Sequence, residues 1–231
     1  MSPGPQWRGR SRTGDEGALA HVSVLGDLTY RFLRMLGVVV STVLWRFEVE
    51  GRDRLPTVGP FVLCPVHRST VDFLVAGMTV QRRMRFMAKD SLWRRPRFGR
   101  FLEFIGAFPV DREHPDRTAL RRAEEAVAGG EPVVIFPEGR RREGDQIDEL
   151  HHGPSWVACR HRVPMVPMGI GGSDRAMPIG SRRIRLTKIK VVIGEPIYPD
   201  VELTGRVPRR VVTETTEELH RELQRLFDEV R

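Results

Sequence analysis

Apolar positions fall into two patterns along the chain. Short continuous runs occur at "FVLCPV" (61–66), "MRFMAK" (84–89), "AFPV" (107–110), "PVVIF" (132–136) and "PMVPMGI" (164–170). Runs of this length between turn formers predict buried strands. Between them lie stretches of helical spacing. "DFLVAGMTVQRR" follows the first strand, and "LWRRPRFGRFLEFIG" the second, with a break at Pro96. "RTALRRAEEAVAGG" places Leu120, Ala123 and Val127 on one face and stops at two glycines. "GPSWVACRHR" is a further helix, and the last one stripes Leu219, Leu223, Leu226, Phe227 and Val230. "RRIRLTKIKVVIG" (182–194) alternates Ile184, Leu186, Ile189 and Val191 with basic residues, which predicts a long, half-exposed strand.

Strands alternating with helices predict an α/β fold: a single domain with a mixed, largely parallel central sheet flanked by helices. The expected division is a disordered polar tail at 1–20 and an N-terminal helical segment at 21–50. An α/β domain at 51–205 follows, then a C-terminal helix at 206–231 packed on it. No internal repeat is visible. Within the N-terminal segment, residues 22–47 read as one helix. Its apolar run "MLGVVVSTVLW" (35–45), flanked by Arg34 and Arg46, is shorter than the ~20 residues of a spanning helix. It suits a helix that lies on a membrane or packs on the domain. No secretory signal is recognisable.

Charge narrows the partners. The 231 residues carry a formal net charge of +8, which favours an anionic partner: nucleic acid, membrane or phosphorylated substrate. Residues 81–100, "QRRMRFMAKDSLWRRPRFGR", concentrate that charge beside Trp93 and Phe98. Such a mixture suits a phosphate headgroup layer or the basic outer face of a core helix. The two cysteines, Cys64 and Cys159, form neither a metal pattern nor a disulfide framework, which fits a reducing compartment. No histidine spacing suggests a metal.

One short stretch carries chemistry. In "CPVHRSTVDFLV" (64–75), Ser69 and Asp72 form a capping box with Asp in place of Glu. The same turn sets His67 beside Asp72, whose carboxylate can fix one imidazole nitrogen and leave the other as a base. The two roles are compatible, since a carboxylate has two oxygens. A Cys64–His67 pair is disfavoured, because Cys64 lies inside an apolar run.

Three later segments, "GAFPVDR" (106–112), "FPEGRRREG" (136–144) and "VPMVPMGIGG" (163–172), complete an ordered set. That set resembles the glycerolipid acyltransferase family, including the bacterial 1-acyl-glycerol-3-phosphate acyltransferases, over roughly residues 55–200. His67 and Asp72 match the first motif. Gly106, Phe108 and Arg112 match the second. Phe136, Pro137, Glu138, Gly139 and Arg141 match the third, and Val166 and Pro167 the fourth. The chain departs from the pattern at Val66, at Arg140 and Arg142 (usually Thr and Ser), and at His152 before Gly153.

The resemblance implies transfer of a fatty acyl group from acyl-CoA or acyl carrier protein to the free hydroxyl of 1-acyl-glycerol-3-phosphate. His67 would be the base and Asp72 its orienter, with no covalent acyl-enzyme, cofactor or metal. Lys89, Arg112 and Arg141 would bind the acceptor phosphate. Glu138 and Gly139 would join the acceptor site, Glu138 by holding a glycerol hydroxyl or orienting Arg112 or Arg141. A backbone N–H near Gly139 or Ser69 would suit the oxyanion. The expected location is the cytoplasmic face of the cell membrane, peripheral or monotopic, on an anionic surface. Alternatives are the same chemistry on another lysolipid or glycerol-3-phosphate, a non-catalytic lipid binder, or a nucleic-acid-binding protein. The last lacks any nucleic-acid-binding motif.

Overall fold

The computed structural model describes residues 24–110, 117–181, 183–201 and 206–231. The tail at 1–20 and Arg112 lie outside the described residues. Seven strands form one sheet: β1 (Glu48–Glu50), β2 (Val62–Pro65), β3 (Arg85–Lys89), β4 (Ala107–Val110), β5 (Val133–Val134), β6 (Met165–Gly171) and β7 (Lys190–Ile193). Their order is β1-β7-β6-β2-β5-β3-β4. All pairings are parallel except β6 with β7. The sheet is therefore mixed and largely parallel.

Helices cover both faces, so the central strands are apolar on both sides. Along β2, Leu63 faces a core built with Val75, Ala76, Met84 and Leu102. Val62 and Cys64 face the other, built with Ala123, Val157, Leu219 and Leu223. The first core is covered by α1 (Val24–Trp45), α2 (Asp72–Thr79) and α3 (Pro96–Phe104). The second is covered by α4 (Arg117–Ala128), α5 (Gly153–His161) and α7 (Arg209–Val230). A four-residue helix, α6 (Ser173–Ala176), follows β6. Pro96 opens α3 after a 3-10 turn at Asp90–Arg94, a position where its missing N–H costs nothing.

Helix α7 lies close on β6 because Gly169 has no side chain there. A Cβ at Gly169 would sit 2.7 Å from the Leu226 carbonyl oxygen. Helix α1 packs on α2 with Tyr30, Ser41 and Trp45 buried. The Arg34 guanidinium donates to the carbonyls of Met78 and Val80, both at 2.9 Å, closing the C-terminal end of α2. The opposite side of α1 leaves Phe32, Met35, Leu36, Val39, Val40 and Val43 exposed. The helix thus packs on the domain with one face and keeps a second apolar face uncovered.

Two expectations need correction. The long strand at 182–194 is only Lys190–Ile193. Strand β6 is antiparallel to it from Met168 to Gly171, and β1 pairs only with residues 190–192. Ile184 and Leu186, with no strand beside them, are exposed. Conversely, β1 was hidden in what reads as the end of the first helix and a loop. It is a three-residue edge strand whose Glu48 and Glu50 pair with Lys188 and Lys190.

Leu223 is fully buried between α7 and the sheet. Leu223→Ala is expected to cost about 2–5 kcal/mol. Urea denaturation followed by circular dichroism measures it, and a loss below 1 kcal/mol would contradict the packing described.

Candidate active site

Because β2 to β6 run in the same sense, their C-terminal ends share one edge of the sheet. Open parallel sheets bind ligands in the crevice beyond that edge. His67 follows β2, Lys89 ends β3 and Glu138 follows β5, so three motif segments converge by topology alone.

His67 sits just past β2 and is nearly buried. Its Nδ1 lies 3.0 Å from Asp72 Oδ2. With the Nδ1 proton donated to that oxygen, Nε2 holds a lone pair. The imidazole stacks on Phe136, with ring centroids 4.1 Å apart. Orientation is thus set by a hydrogen bond on one edge and an aromatic face on the other.

Asp72 is fully buried in the first turn of α2. Its Oδ2 also accepts the backbone N–H of Arg68 at 2.7 Å and of Ser69 at 2.6 Å. The three donors share one oxygen, a charge-assisted cluster at the positive end of the helix. The capping box is half realised: Asp72 reaches back as expected. The Ser69 hydroxyl donates to the Met177 carbonyl at 2.7 Å and accepts only a long bond from the Val71 N–H. Cys64 is buried, and burial pushes its thiol far up, which removes it as a nucleophile.

Glu138 is also fully buried. One oxygen accepts the backbone N–H of His67 at 2.9 Å, and the other meets Arg68 Nη1 at 2.6 Å. The carboxylate therefore holds the His67 turn from behind, and its guanidinium partner is Arg68 rather than Arg141. Arg68 continues to the Gln146 carbonyl at 3.0 Å and lies 4.7 Å over the Phe227 ring. The backbone N–H of Arg142 donates to the His67 carbonyl at 2.9 Å. Both polar main-chain groups of His67 are thus held by the loop after β5.

Gly139 turns that loop with φ +68°, where a side chain would be strained and its Cβ would meet His151. Its own N–H closes a turn on the Phe136 carbonyl, and the Ser69 N–H serves Asp72. Both are spent within the fold, so neither is free for an oxyanion. Arg141 reaches across to the Thr70 hydroxyl at 2.6 Å, which brings it to the start of α2. Lys89 stands exposed at the end of β3, two strands from β2. His152 opens α5 and bonds to Thr216 of α7 at 3.1 Å. Among the described residues no group of His, Cys, Asp or Glu could hold a metal ion.

The sequence reading overlooked Arg68. Its signal was a lone arginine inside an otherwise apolar and small-residue turn, "CPVHRST". A charge at such a position is rarely solvated and needs a buried partner.

A family model described as Acyltransferase matches residues 46–171. A 1-acyl-sn-glycerol-3-phosphate acyltransferase of Bacillus subtilis is 28% identical over 87% of this chain and all of its own length. A chloroplastic 1-acyl-sn-glycerol-3-phosphate acyltransferase of Brassica napus is 27% identical over 73% of this chain, which spans about half of that relative. The crystal structure of the 1-acyl-sn-glycerophosphate acyltransferase of Thermotoga maritima superposes with a TM-score of 0.69, covering 86% of this chain and 81% of its own. At 23% identity it shows the same fold.

Breaking one half of a buried ion pair strands the other charge. Arg68→Met is expected to cost about 3–5 kcal/mol, most of it recovered in Arg68→Met/Glu138→Gln. Chemical denaturation of the two variants checks this, and a double variant no more stable than the single one would remove the coupling.

Proposed function

The chain belongs to the acyltransferase family, and on that premise we propose that it acylates the free hydroxyl of a 1-acyl-glycerol-3-phosphate from an acyl thioester, giving phosphatidic acid. The observation that carries the reading is the buried His67–Asp72 bond, which leaves Nε2 as the open nitrogen. The names of the relatives support the acceptor.

The chemistry needs one base and no covalent enzyme intermediate. His67 Nε2 takes the proton of the acceptor hydroxyl as its oxygen attacks the thioester carbonyl. The new C–O bond forms, the C–S bond breaks, and the proton passes from His67 to the departing sulfur. Asp72 keeps the tautomer and stabilises the transient imidazolium. The acceptor phosphate is held by Arg141, with Arg112 and Lys89 completing the anion site. Glu138 acts from behind, by fixing the main chain of His67. Gly139 provides the turn that lets Arg141 face the start of α2.

His67→Ala is expected to lower acyl transfer at least a hundredfold and Asp72→Asn nearly as much, with acceptor KM little changed. Arg141→Ala should instead raise the acceptor KM about tenfold or more. Steady-state assays with labelled acyl-CoA and lysophosphatidic acid measure all three. Unaltered transfer by His67→Ala would remove the base assignment.

The same reading places the protein on the cytoplasmic face of a membrane. Among the described residues no helix is long and apolar enough to cross one. The uncovered apolar face of α1 suits shallow insertion, and Leu92, Phe98 and Phe101 beside Arg95 and Arg97 suit the headgroup level. Val39→Asp/Val43→Asp is expected to reduce co-sedimentation with anionic vesicles about tenfold, leaving the thermal melt unchanged, since both side chains are exposed. Undiminished sedimentation would remove α1 as the attachment face.

A further inference from the structure

The proposed reaction joins two phosphorylated substrates, and Arg141, Arg112 and Lys89 are assigned to the acceptor alone. A cleft of about 640 Å³ opens at the same sheet edge, toward α7 and the end of β6. Its walls include Arg68, Arg142, Arg175, Arg185 and Arg231, with Pro178 and Ile179 supplying apolar surface. The volume falls in the range of small-molecule sites. A concave cleft of this size admits a nucleotide.

The five arginines are not equivalent. Arg68 is paired with Glu138, Arg142 with Asp148 at 3.0 Å, and Arg231 with Asp145 at 2.6 Å. Arg175 and Arg185 have no ion-pair partner among the described residues, and both are exposed. The Nε atoms of Arg68 and Arg142 are buried without a hydrogen-bond partner. Glu143, Asp145 and Asp174 also line the cleft. The free guanidinium groups therefore come from α6 and the segment after it, as Arg175 and Arg185.

The cleft is tied to the base. Arg68 follows His67 directly, and the Arg142 N–H donates to the His67 carbonyl at 2.9 Å. The cleft therefore adjoins the turn that carries His67. Arg142 is also a position where this chain departs from the family's usual residue.

We propose that this cleft binds the phosphates of coenzyme A, with Arg175 and Arg185 as the principal contacts, so that CoA serves as the acyl carrier. The inference rests on the acyl-transfer reading and adds to it the identity and seat of the donor. Arginine suits the task because its planar fork pairs with phosphate oxygens. The apolar pair Pro178 and Ile179 offers a surface for the nucleobase.

The test is calorimetric titration of CoA into the full chain and into Arg175→Ser/Arg185→Ser, with donor and acceptor KM measured in parallel. The variant is expected to bind CoA about tenfold or more weakly, and to raise the acyl-CoA KM by a similar factor. The lysophosphatidic acid KM should stay within about twofold. Equal CoA binding by both proteins would overturn the proposal. So would a rise confined to the acceptor KM, which would give the cleft to the lysolipid headgroup. A wild-type protein that transfers acyl groups from acyl carrier protein and binds no CoA overturns this inference and leaves the acyl-transfer reading intact. One that binds CoA through these arginines yet transfers no acyl group overturns that reading and leaves the cleft assigned.

Discussion

The turn that carries His67 depends on one buried carboxylate. Glu138 takes the His67 N–H with one oxygen and Arg68 with the other, at full burial. Two strands that are neighbours in the sheet are thereby locked at their C-terminal ends as well. Without that cross-link, the His67 N–H would lose its partner, and the loop after β5 would hold the residue through the Arg142 N–H alone. A buried ion pair is seldom a net source of stability. Here its return is geometric, since it fixes the segment that carries the imidazole.

Asp72 shows how one residue does two jobs through one atom. Its Oδ2 gathers two backbone amides and the imidazole, so the helix start and the ring orientation rest on one point. The hydrogen-bond arithmetic of the turn made this readable in advance: a capping aspartate one turn after a histidine has few other places to go. The Ser69 N–H is one of those two amides, and the Gly139 N–H closes a turn on the Phe136 carbonyl, so neither of these two donors serves an oxyanion.

Much of the architecture was legible because buried parallel strands are written as unbroken apolar runs. All five short runs became strands, and the helical spacings became helices. The failures came where pattern and pairing part. Residues 182–189 alternate well, yet strand structure needs a neighbour, and this segment pairs with β6 only from Lys190 onward. Glu48–Glu50 holds a single apolar residue, Val49, too short a pattern to read, and is a strand because β7 offers it an edge. In the site, His67 and Asp72 were legible from spacing of five residues. The Arg68–Glu138 pair was not, since its partners lie 70 residues apart and only the β2–β5 pairing brings them together.

The clamp between α1 and α2 couples two regions mechanically. Arg34 grips the carbonyls at the far end of α2, and Asp72 stands at the near end of the same eight-residue helix. So short a helix behaves as a stiff strut, barely two turns long. Any sliding of α1 along its axis must either break the guanidinium grip or drag the strut, and with it the carboxylate behind the imidazole. A helix with an uncovered apolar face and a fully buried acid are thus opposite ends of one lever.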